Sequence, residues 1–218
     1  MTSMSVLAQD AVVSTGLELG KDYRYAYLGS VLPVLGSKSG QGFVQRYLLD
    51  YITYSYEQTP IQDIDAKVSG VEAALGYQGT HDNGGCGVYL GARYTRTRLR
   101  PDDPGNNDRG SRVRAKLQIE GEQALARDWR ISGMASYVLV DNNYWVRLRP
   151  QKTLSSGLVA GPELVVQGDS NYRAVKLGAF LGGIKMGADS RLTFRVGASK
   201  AENSSVAAYL GLDAYFLF

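Results

Sequence analysis

The sequence predicts one all-β domain, a single up-and-down antiparallel β-barrel that crosses a membrane. Apolar and polar residues alternate with a period of two along most of the chain, as they do in strands. The 218 residues include 26 glycines and 15 tyrosines, and glycine disfavours helices whereas tyrosine suits strands. The chain also ends on an apolar segment whose last residue is Phe218, which resembles the C-terminal signature of bacterial outer-membrane barrels.

The alternation divides the chain into about twelve strands. Its clearest case is segment 112–123, where one face is apolar and the other is mostly charged: Val113, Ala115, Leu117, Ile119 and Gly121 against Arg112, Arg114, Lys116, Gln118, Glu120 and Glu122. Most candidates reach the roughly 9–11 residues that a tilted strand needs to cross a bilayer. Ten strands is the alternative, because the first segment has the weakest pattern. The candidates span 12–19, 23–35, 42–56, 66–78, 86–99, 112–125, 128–140, 143–154, 158–168, 172–185, 191–200 and 206–218.

Two segments fit this pattern less well. Pro162 falls inside 158–168, where it removes a hydrogen-bond donor from the ladder. Segment 42–56 alternates poorly, and its pattern is best explained if Arg46 and Asp50 face the lumen. No linker, charge block or low-complexity stretch divides the chain, so we expect one domain over 1–218.

A membrane barrel explains the pattern better than a soluble β-sandwich. The apolar faces carry little side-chain volume, because they mix Leu, Val and Ala with Gly. Such a face can contact lipid, whereas a tightly packed protein core needs larger side chains that fill its volume. Aromatic residues gather near the segment ends, as in an interfacial girdle. That predicted girdle comprises Tyr23, Tyr25, Tyr27, Tyr51, Tyr54, Tyr56, Trp129, Tyr144 and Trp145.

The N-terminal segment lacks the charged and apolar regions of a signal peptide. Either the protein is cytoplasmic or Met1 restarts a mature, exported chain, and the rest of the sequence favours export. Residues 1–11 are then expected to form a flexible periplasmic N-terminus. A continuous apolar run of roughly 18 residues is missing, which excludes a transmembrane helix but not a barrel.

The up-and-down order also predicts which connections lie outside the cell. If Phe218 ends in the periplasm, the connections near 57–65 and 100–111 are extracellular. They are the longest in the predicted pattern, and outer-membrane barrels keep their periplasmic turns short. The connection at 79–85 is then periplasmic and rather long.

The charged faces of the strands are expected to line the lumen. An Arg or Lys on the lipid face costs roughly 2–4 kcal/mol at the bilayer midplane, and several such charges would cancel most of a typical stability of about 5–15 kcal/mol. The candidate lumen-lining residues are Arg46, Asp50, Glu72, Arg93, Arg114, Lys116, Glu120, Glu122, Arg147, Arg149, Glu163, Arg195 and Asp213.

The composition argues against disulfides, metal sites, nucleic-acid binding and catalysis. One cysteine and one histidine exclude a disulfide scaffold and multi-Cys or multi-His metal sites. The formal net charge of +3 is too small and too evenly spread for nucleic-acid binding. We therefore predict no catalytic residue, no cofactor and no metal site. The only histidine, His81, precedes Asp82, Asn83 and two glycines and is interpreted as a turn residue rather than a general base.

Two places near the expected outer rim carry charges with a possible role. Asp102 and Asp103, between two prolines, form a candidate extracellular loop site for a divalent cation, with a solvated loop as the plainer interpretation. Arg96, Arg98 and Arg100 are candidates for contacts to lipopolysaccharide phosphates, with solvated charges as the alternative.

Several stretches carry a resemblance to a known family. They are LRPDDPGNNDRG (99–110), ISGMASY (131–137), NYW (143–145), AGPELVVQGD (160–169) and AYLGLDAYFLF (208–218). The chain resembles the cellulose biosynthesis protein BcsS family from about Tyr23 onward. The resemblance implies a bacterial outer-membrane location and a role with cellulose synthase genes, and it implies no catalytic or binding residues.

Three hypotheses about function follow. The first is a non-enzymatic accessory barrel of cellulose or exopolysaccharide production, with a lumen closed by salt bridges. The second is a narrow oligosaccharide-conducting porin, in which aromatic faces stack on sugars and charged groups bind hydroxyls. The third, a lipid-modifying enzyme, would need His81 on the outer side. Expected partners are outer-membrane lipids, lipopolysaccharide, and a glucan polymer or secretion components.

Overall fold

Twelve antiparallel strands close into a barrel, because the last strand pairs with the first. The computed structural model describes residues 11–34, 36–59, 62–106, 108–170, 172–202 and 204–218. The strands are β1 (Val12–Gly20), β2 (Tyr23–Pro33), β3 (Gly42–Thr59), β4 (Gln62–His81), β5 (Gly84–Arg100), β6 (Gly110–Ala126), β7 (Trp129–Val138), β8 (Asn143–Thr153), β9 (Val159–Gly168), β10 (Arg173–Lys185), β11 (Ser190–Ala201) and β12 (Ala207–Leu217). The predicted fold class and the strand number of twelve are confirmed.

The closing seam joins the two ends of the chain. The register of β1 with β12 runs from Val12 opposite Leu217 to Gly20 opposite Tyr209. Ala11 extends it, since its backbone N–H and C=O both bond to Phe218. The rest of the expected flexible N-terminus, residues 1–10, lies outside the described residues.

The barrel wall is taller on one side than on the other. Strands β3 to β6 have 17 to 20 residues, whereas the other strands have 9 to 13. The predicted connection at 57–65 is therefore wrong, because β3 and β4 stay paired through Glu57 opposite Asp63. The polar sequence there does not alternate like the rest of the strand. The paired ends of β3 and β4 can still form a ladder, because strands that extend beyond the membrane into water need no apolar face.

The connection predicted at 79–85 is also shorter than expected. His81 pairs with Gly84, so only Asp82 and Asn83 form the turn, which matches the two-residue loops common in hairpins. The long connections are instead 34–41 on that rim and 101–109 on the opposite rim. The second of these agrees with the prediction at 100–111.

The period of two gives the barrel an apolar outer face and a polar inner face. Cross-strand register places Leu49, Val71, Tyr94 and Val113 in one outward row, and all four side chains are exposed. Arg46 and Asp50 lie on the inner face of β3, as expected. The described residues contain no helix that is long and apolar enough to cross a membrane.

Pro162 interrupts the ladder without ending its strand. It lies on the outer face of β9, and pairing of β8 with β9 stops after Leu148–Leu164 and resumes at Lys152–Ala160. The same register sets Pro150 of β8 opposite Pro162. Two residues without N–H donors thus share one short gap, which limits the defect to a single place in the sheet.

The predicted aromatic girdle is wrong for most of its members. Tyr51, Trp129 and Tyr144 lie on the outer face. The inner face instead carries Tyr23, Tyr25, Tyr27, Tyr54, Tyr56 and Trp145. Closeness to a strand end does not decide which face a side chain occupies, whereas strand parity does. The inward tyrosines become part of the lumen.

Candidate functional site

The lumen carries the charged residues of the barrel. The structure places every candidate lumen-lining residue on the inner face of its strand, and most of them meet in two groups of ion pairs. One group lies on the tall wall of β3 to β6. The other lies on the wall formed by β1 and β8 to β12.

The first group, the Glu72 cluster, comprises Arg46, Asp50, Glu72, Arg93 and Lys116. Glu72 is central, since its carboxylate oxygens lie 2.5 Å from Arg46 Nη1 and 2.6 Å from Lys116 Nζ. Arg93 binds Asp50 with two hydrogen bonds of 2.6 and 2.8 Å. The Asp50 and Glu72 side chains are 3% and 2% exposed, so both carboxylates depend on these cations.

A glycine makes the Arg93–Asp50 pair possible. The two residues lie on β5 and β3, with β4 between them, and Gly70 of β4 stands opposite Asp50. A Cβ atom at Gly70 would approach Asp50 Oδ1 to 2.5 Å and Arg93 Nη2 to 2.6 Å. The missing side chain therefore leaves the space through which Arg93 reaches Asp50.

The second group, the Glu18 cluster, comprises Glu18, Arg149, Glu163, Lys176, Arg195 and Asp213. Glu18 accepts hydrogen bonds from Lys176 and, at 2.5 Å, from Arg195. Arg195 Nε lies 2.9 Å from Asp213 Oδ2 without the alignment of a hydrogen bond. Arg149 donates to Glu163 at 2.6 Å. Three cations and three carboxylates thus balance within one compact group.

Tyrosines of β2 lie between the two clusters. Tyr23 donates its hydroxyl to Glu18 at 2.7 Å, and Tyr27 donates to Asp213 at 3.2 Å. The rings of Tyr25 and Tyr27 stack with centroids 5.9 Å apart. In the ladder, Tyr27 stands opposite Asp50 of β3. The β2 tyrosines thus lie next to the Glu72 cluster and donate hydrogen bonds to carboxylates of the Glu18 cluster.

Burial of these groups shows how densely the middle of the lumen is filled. Glu163 and Asp213 are 0% exposed, although they point towards the barrel axis. Tyr89 and Tyr209, also on the inner face, are 1% exposed. In an open, water-filled lumen such side chains would be accessible. Side chains can fill the interior of a narrow barrel in this way.

Four of the candidate lumen residues lie outside both clusters. Arg114 pairs with Asp141 at 3.0 Å. Glu120 accepts a hydrogen bond of 2.5 Å from Tyr89. Glu122 pairs with Arg130 and accepts a hydrogen bond of 2.8 Å from Gln151.

The fourth, Arg147, makes a different contact. Its guanidinium lies 5.3 Å from the ring centroid of Trp145, and it forms no ion pair within the described part of the chain. An aromatic face and an unpaired cation therefore adjoin on the inner face of β8. That combination can stack on a sugar ring and donate hydrogen bonds to its hydroxyls.

The two candidate loop carboxylates have different environments. Asp102 is exposed and pairs with Arg109 at 2.7 Å. Asp103 is buried and accepts a hydrogen bond of 2.8 Å from the Tyr56 hydroxyl, so it fastens the 101–109 connection to β3. The described residues contain no group of three or more His, Cys, Asp or Glu side chains that could hold a metal ion.

Asp108 in the same connection titrates unusually. Burial raises the pKa of its carboxyl above the ordinary value, and the negative charges of Asp169 and Asp141 raise it further. Arg112 and Arg114 act in the opposite direction without cancelling this effect. The carboxyls of Asp108, Asp141 and Asp169 therefore lie within electrostatic range of one another at this rim.

His81 and Cys86 lie apart from the lumen clusters. His81 is the last residue of β4 and is exposed, and its Nδ1 accepts a hydrogen bond of 3.3 Å from the Asn83 backbone. Cys86 is exposed on the outer face of β5. The prediction that His81 is a turn residue is thus off by one position, because His81 pairs with Gly84 and flanks the two-residue turn.

Sequence reasoning missed Glu18, which accepts hydrogen bonds from the cations of Lys176 and Arg195. It lies between Leu17 and Leu19 in the segment with the weakest pattern, yet a carboxylate between two leucines is itself a signal of alternation. Lumenal tyrosines were missed because their place near strand ends suggested a girdle.

Comparison with known proteins supports the barrel and confirms the family that the sequence resembles. A family model described as cellulose biosynthesis protein BcsS matches residues 12–218. The chain belongs to this family. No curated protein matches it by sequence. The match covers all twelve strands, so it describes the barrel as a whole.

Solved structures of similar fold are bacterial barrels of several kinds. The KdgM porin is 10% identical with a TM-score of 0.53, covering 95% of this chain and 99% of that one. The β domain of the Bordetella autotransporter BrkA is 16% identical with a TM-score of 0.55, covering 96% and 99%. A TodX monoaromatic hydrocarbon channel mutant is 8% identical with a TM-score of 0.59, covering 95% and 90%. At these identities the likeness concerns the fold alone.

Proposed function

We propose that this BcsS-family barrel is a non-enzymatic accessory of cellulose or related exopolysaccharide production in the bacterial outer membrane, with a lumen closed by ion pairs. The observation that carries the proposal is the burial of Glu163 and Asp213, which point towards the axis yet are 0% exposed. Its partners would then be a glucan polymer or secretion components that contact the rims and connections rather than pass through.

The balance of charges supports a closed lumen. Each carboxylate of the Glu18 cluster has at least one cation within ion-pair distance. Removing one partner of a buried pair typically costs about 3–5 kcal/mol. The clusters therefore resist opening, and conduction would require several pairs to separate at once.

Single-channel recording in planar bilayers tests the closed lumen. The purified, folded protein should give no stable conductance. Glu18→Ala with Arg195→Ala should produce conductance, because it removes the centre of one cluster. Leu17→Ala with Val196→Ala is the matched control, since these neighbours on the same strands face outward. Stable conductance from the unaltered protein would contradict the proposal.

The accessory role needs a separate test in cells. Deleting the gene in a cellulose-producing bacterium should lower the amount or change the location of extracellular cellulose. Complementation with the unaltered chain should restore the phenotype. Unchanged cellulose in the deletion strain would rule out the accessory role and leave the question of conductance untouched.

A narrow oligosaccharide channel is the second candidate, favoured by the contact between Trp145 and Arg147. In a Trp129→Phe variant, titration with cello-oligosaccharides should then change the fluorescence of Trp145. An Arg147→Gln change should weaken this response. Stable conductance that cello-oligosaccharides block would favour this candidate over the closed barrel.

The non-enzymatic part of the proposal rests on the surroundings of His81. Its described contact is the hydrogen bond from the Asn83 backbone, which suits a turn. A His81→Ala variant should therefore restore cellulose production as well as the unaltered chain does. Failure of a well-folded His81→Ala variant would point to chemistry at this turn.

A further inference from the structure

The outer face of the tall wall carries a basic cleft, formed by Lys67, Arg96 and Arg98 with Tyr51, Ser69 and Tyr94. Its volume is about 340 Å³. Register creates it, because Lys67 of β4 stands opposite Arg98 of β5, and Ser69 stands opposite Arg96. Three cations therefore surround one depression on the surface that faces away from the lumen.

The cations of the basic cleft differ from those of the lumen in having no counter-charge. Lys67, Arg96 and Arg98 form no ion pair with any carboxylate in the described ranges, whereas every cation of the two lumen clusters does. The nearest outward carboxylate in the register, Asp65, stands opposite Arg100 and accepts a hydrogen bond from Ser55. The cleft thus has a positive charge available to a ligand.

The height of the cleft on the barrel indicates what that ligand is. The row of Ser69 and Arg96 lies directly next to the row of Val71 and Tyr94, where the apolar outer face begins. Charged side chains immediately beyond an apolar belt lie at the level of lipid headgroups. With the 101–109 connection outside the cell, this is the headgroup level of the outer leaflet.

The arginine and lysine side chains around the basic cleft are suited to bind a phosphate group. A guanidinium donates two parallel hydrogen bonds to a phosphate, and an ammonium adds a point charge. Tyrosines at the edge pack against the sugar and acyl parts of an interfacial lipid. We propose that the basic cleft binds a phosphate group of the outer-leaflet glycolipid, the lipid A part of lipopolysaccharide.

Native mass spectrometry of the full chain in detergent tests this proposal, with bisphosphorylated lipid A as the probe. Arg96→Gln with Arg98→Gln should weaken binding about 25-fold, from the usual contribution of a basic residue near an anionic lipid surface. Arg127→Gln with Lys152→Gln is the matched control, since it removes the same charge at the opposite rim. The control should bind lipid A as the unaltered chain does.

Two further probes separate phosphate recognition from other causes. Lipid A without its phosphates should bind the unaltered chain as weakly as bisphosphorylated lipid A binds the Arg96→Gln, Arg98→Gln variant. Equal binding of both lipids would overturn the proposal in favour of acyl-chain contact. Inorganic phosphate alone should bind far more weakly than lipid A, and an equal affinity would overturn the lipid as its source. Equal losses in the variant and its control would indicate unspecific charge attraction.

Discussion

Arg93 and Asp50 form a two-pronged ion pair that passes over an intervening strand. Arg93 Nη1 donates to Asp50 Oδ1 at 2.6 Å and Arg93 Nη2 donates to Asp50 Oδ2 at 2.8 Å, through the space that Gly70 leaves open. The pair joins β5 to β3 inside the lumen and so ties together strands that share no backbone hydrogen bonds. A contact that fills part of the lumen therefore also links two strands of its wall.

Removing Arg93 should destabilise the barrel. Arg93→Met leaves Asp50 buried without its main partner, so the free energy of unfolding should fall by about 3–5 kcal/mol. Denaturant unfolding in lipid vesicles measures this change. Adding Asp50→Leu should recover much of the loss, because no uncompensated charge then stays buried.

An exposed pair provides the comparison for that experiment. The side chains of Arg130 and Glu122 are 44% and 40% exposed, and such pairs contribute about 0–1 kcal/mol. Arg130→Met should therefore have a small effect. Equal losses for Arg93→Met and Arg130→Met would show that burial of the lumen pair is unimportant.

The two tryptophans of the chain should report opposite faces of the wall. Trp129 is 45% exposed on the outer face, and Trp145 lies inside beside Arg147. The Trp145→Phe variant keeps Trp129, and brominated lipids should quench its fluorescence. The Trp129→Phe variant keeps Trp145, and its fluorescence should stay largely unquenched. Similar quenching of both variants would contradict the assigned face of β8.

Asp108 should make stability depend on pH. Its pKa is raised in the folded state, so the folded protein binds a proton more tightly than the unfolded chain does. The contribution of Asp108 to stability therefore falls as the pH rises from its ordinary pKa of about 3.9 through the folded value. Asp108→Asn should raise the melting temperature at pH 7 and have no such effect at about pH 3.

Asp102→Asn serves as the control for this measurement, because its exposed carboxylate pairs with Arg109. It should not raise the melting temperature at either pH. A pH-independent gain for Asp108→Asn would indicate a change in packing instead of titration.

Cysteine labelling should establish which rim faces outward. The single cysteine, Cys86, is first changed to Ser. Gly105→Cys, in the 101–109 connection, should react with an impermeant maleimide on intact cells. Asp82→Cys, in the turn at the other rim, should react only after lysis. The reverse result would invert the barrel and place the basic cleft at the inner leaflet.

The barrel and the faces of most strands follow from local patterns in the sequence. A period of two is a local property, so segments such as 112–123 reveal both a strand and its charged side. The cost of charge in lipid then assigns that side to the lumen. This reasoning found the strands and the inner-face positions of residues such as Arg46, Glu163 and Asp213. The family came separately, from the resemblance of stretches such as 99–110 and 160–169.

Which charges meet, and how far the ladders extend, depend on the tertiary structure. Glu18 binds Lys176 and Arg195, 158 and 177 positions away, because closure of β1 on β12 brings the ends of the chain together. No local pattern encodes such partners, since they depend on register and closure around the whole barrel. The same reason explains the basic cleft, which exists only because β4 and β5 align Lys67 with Arg98 and Ser69 with Arg96.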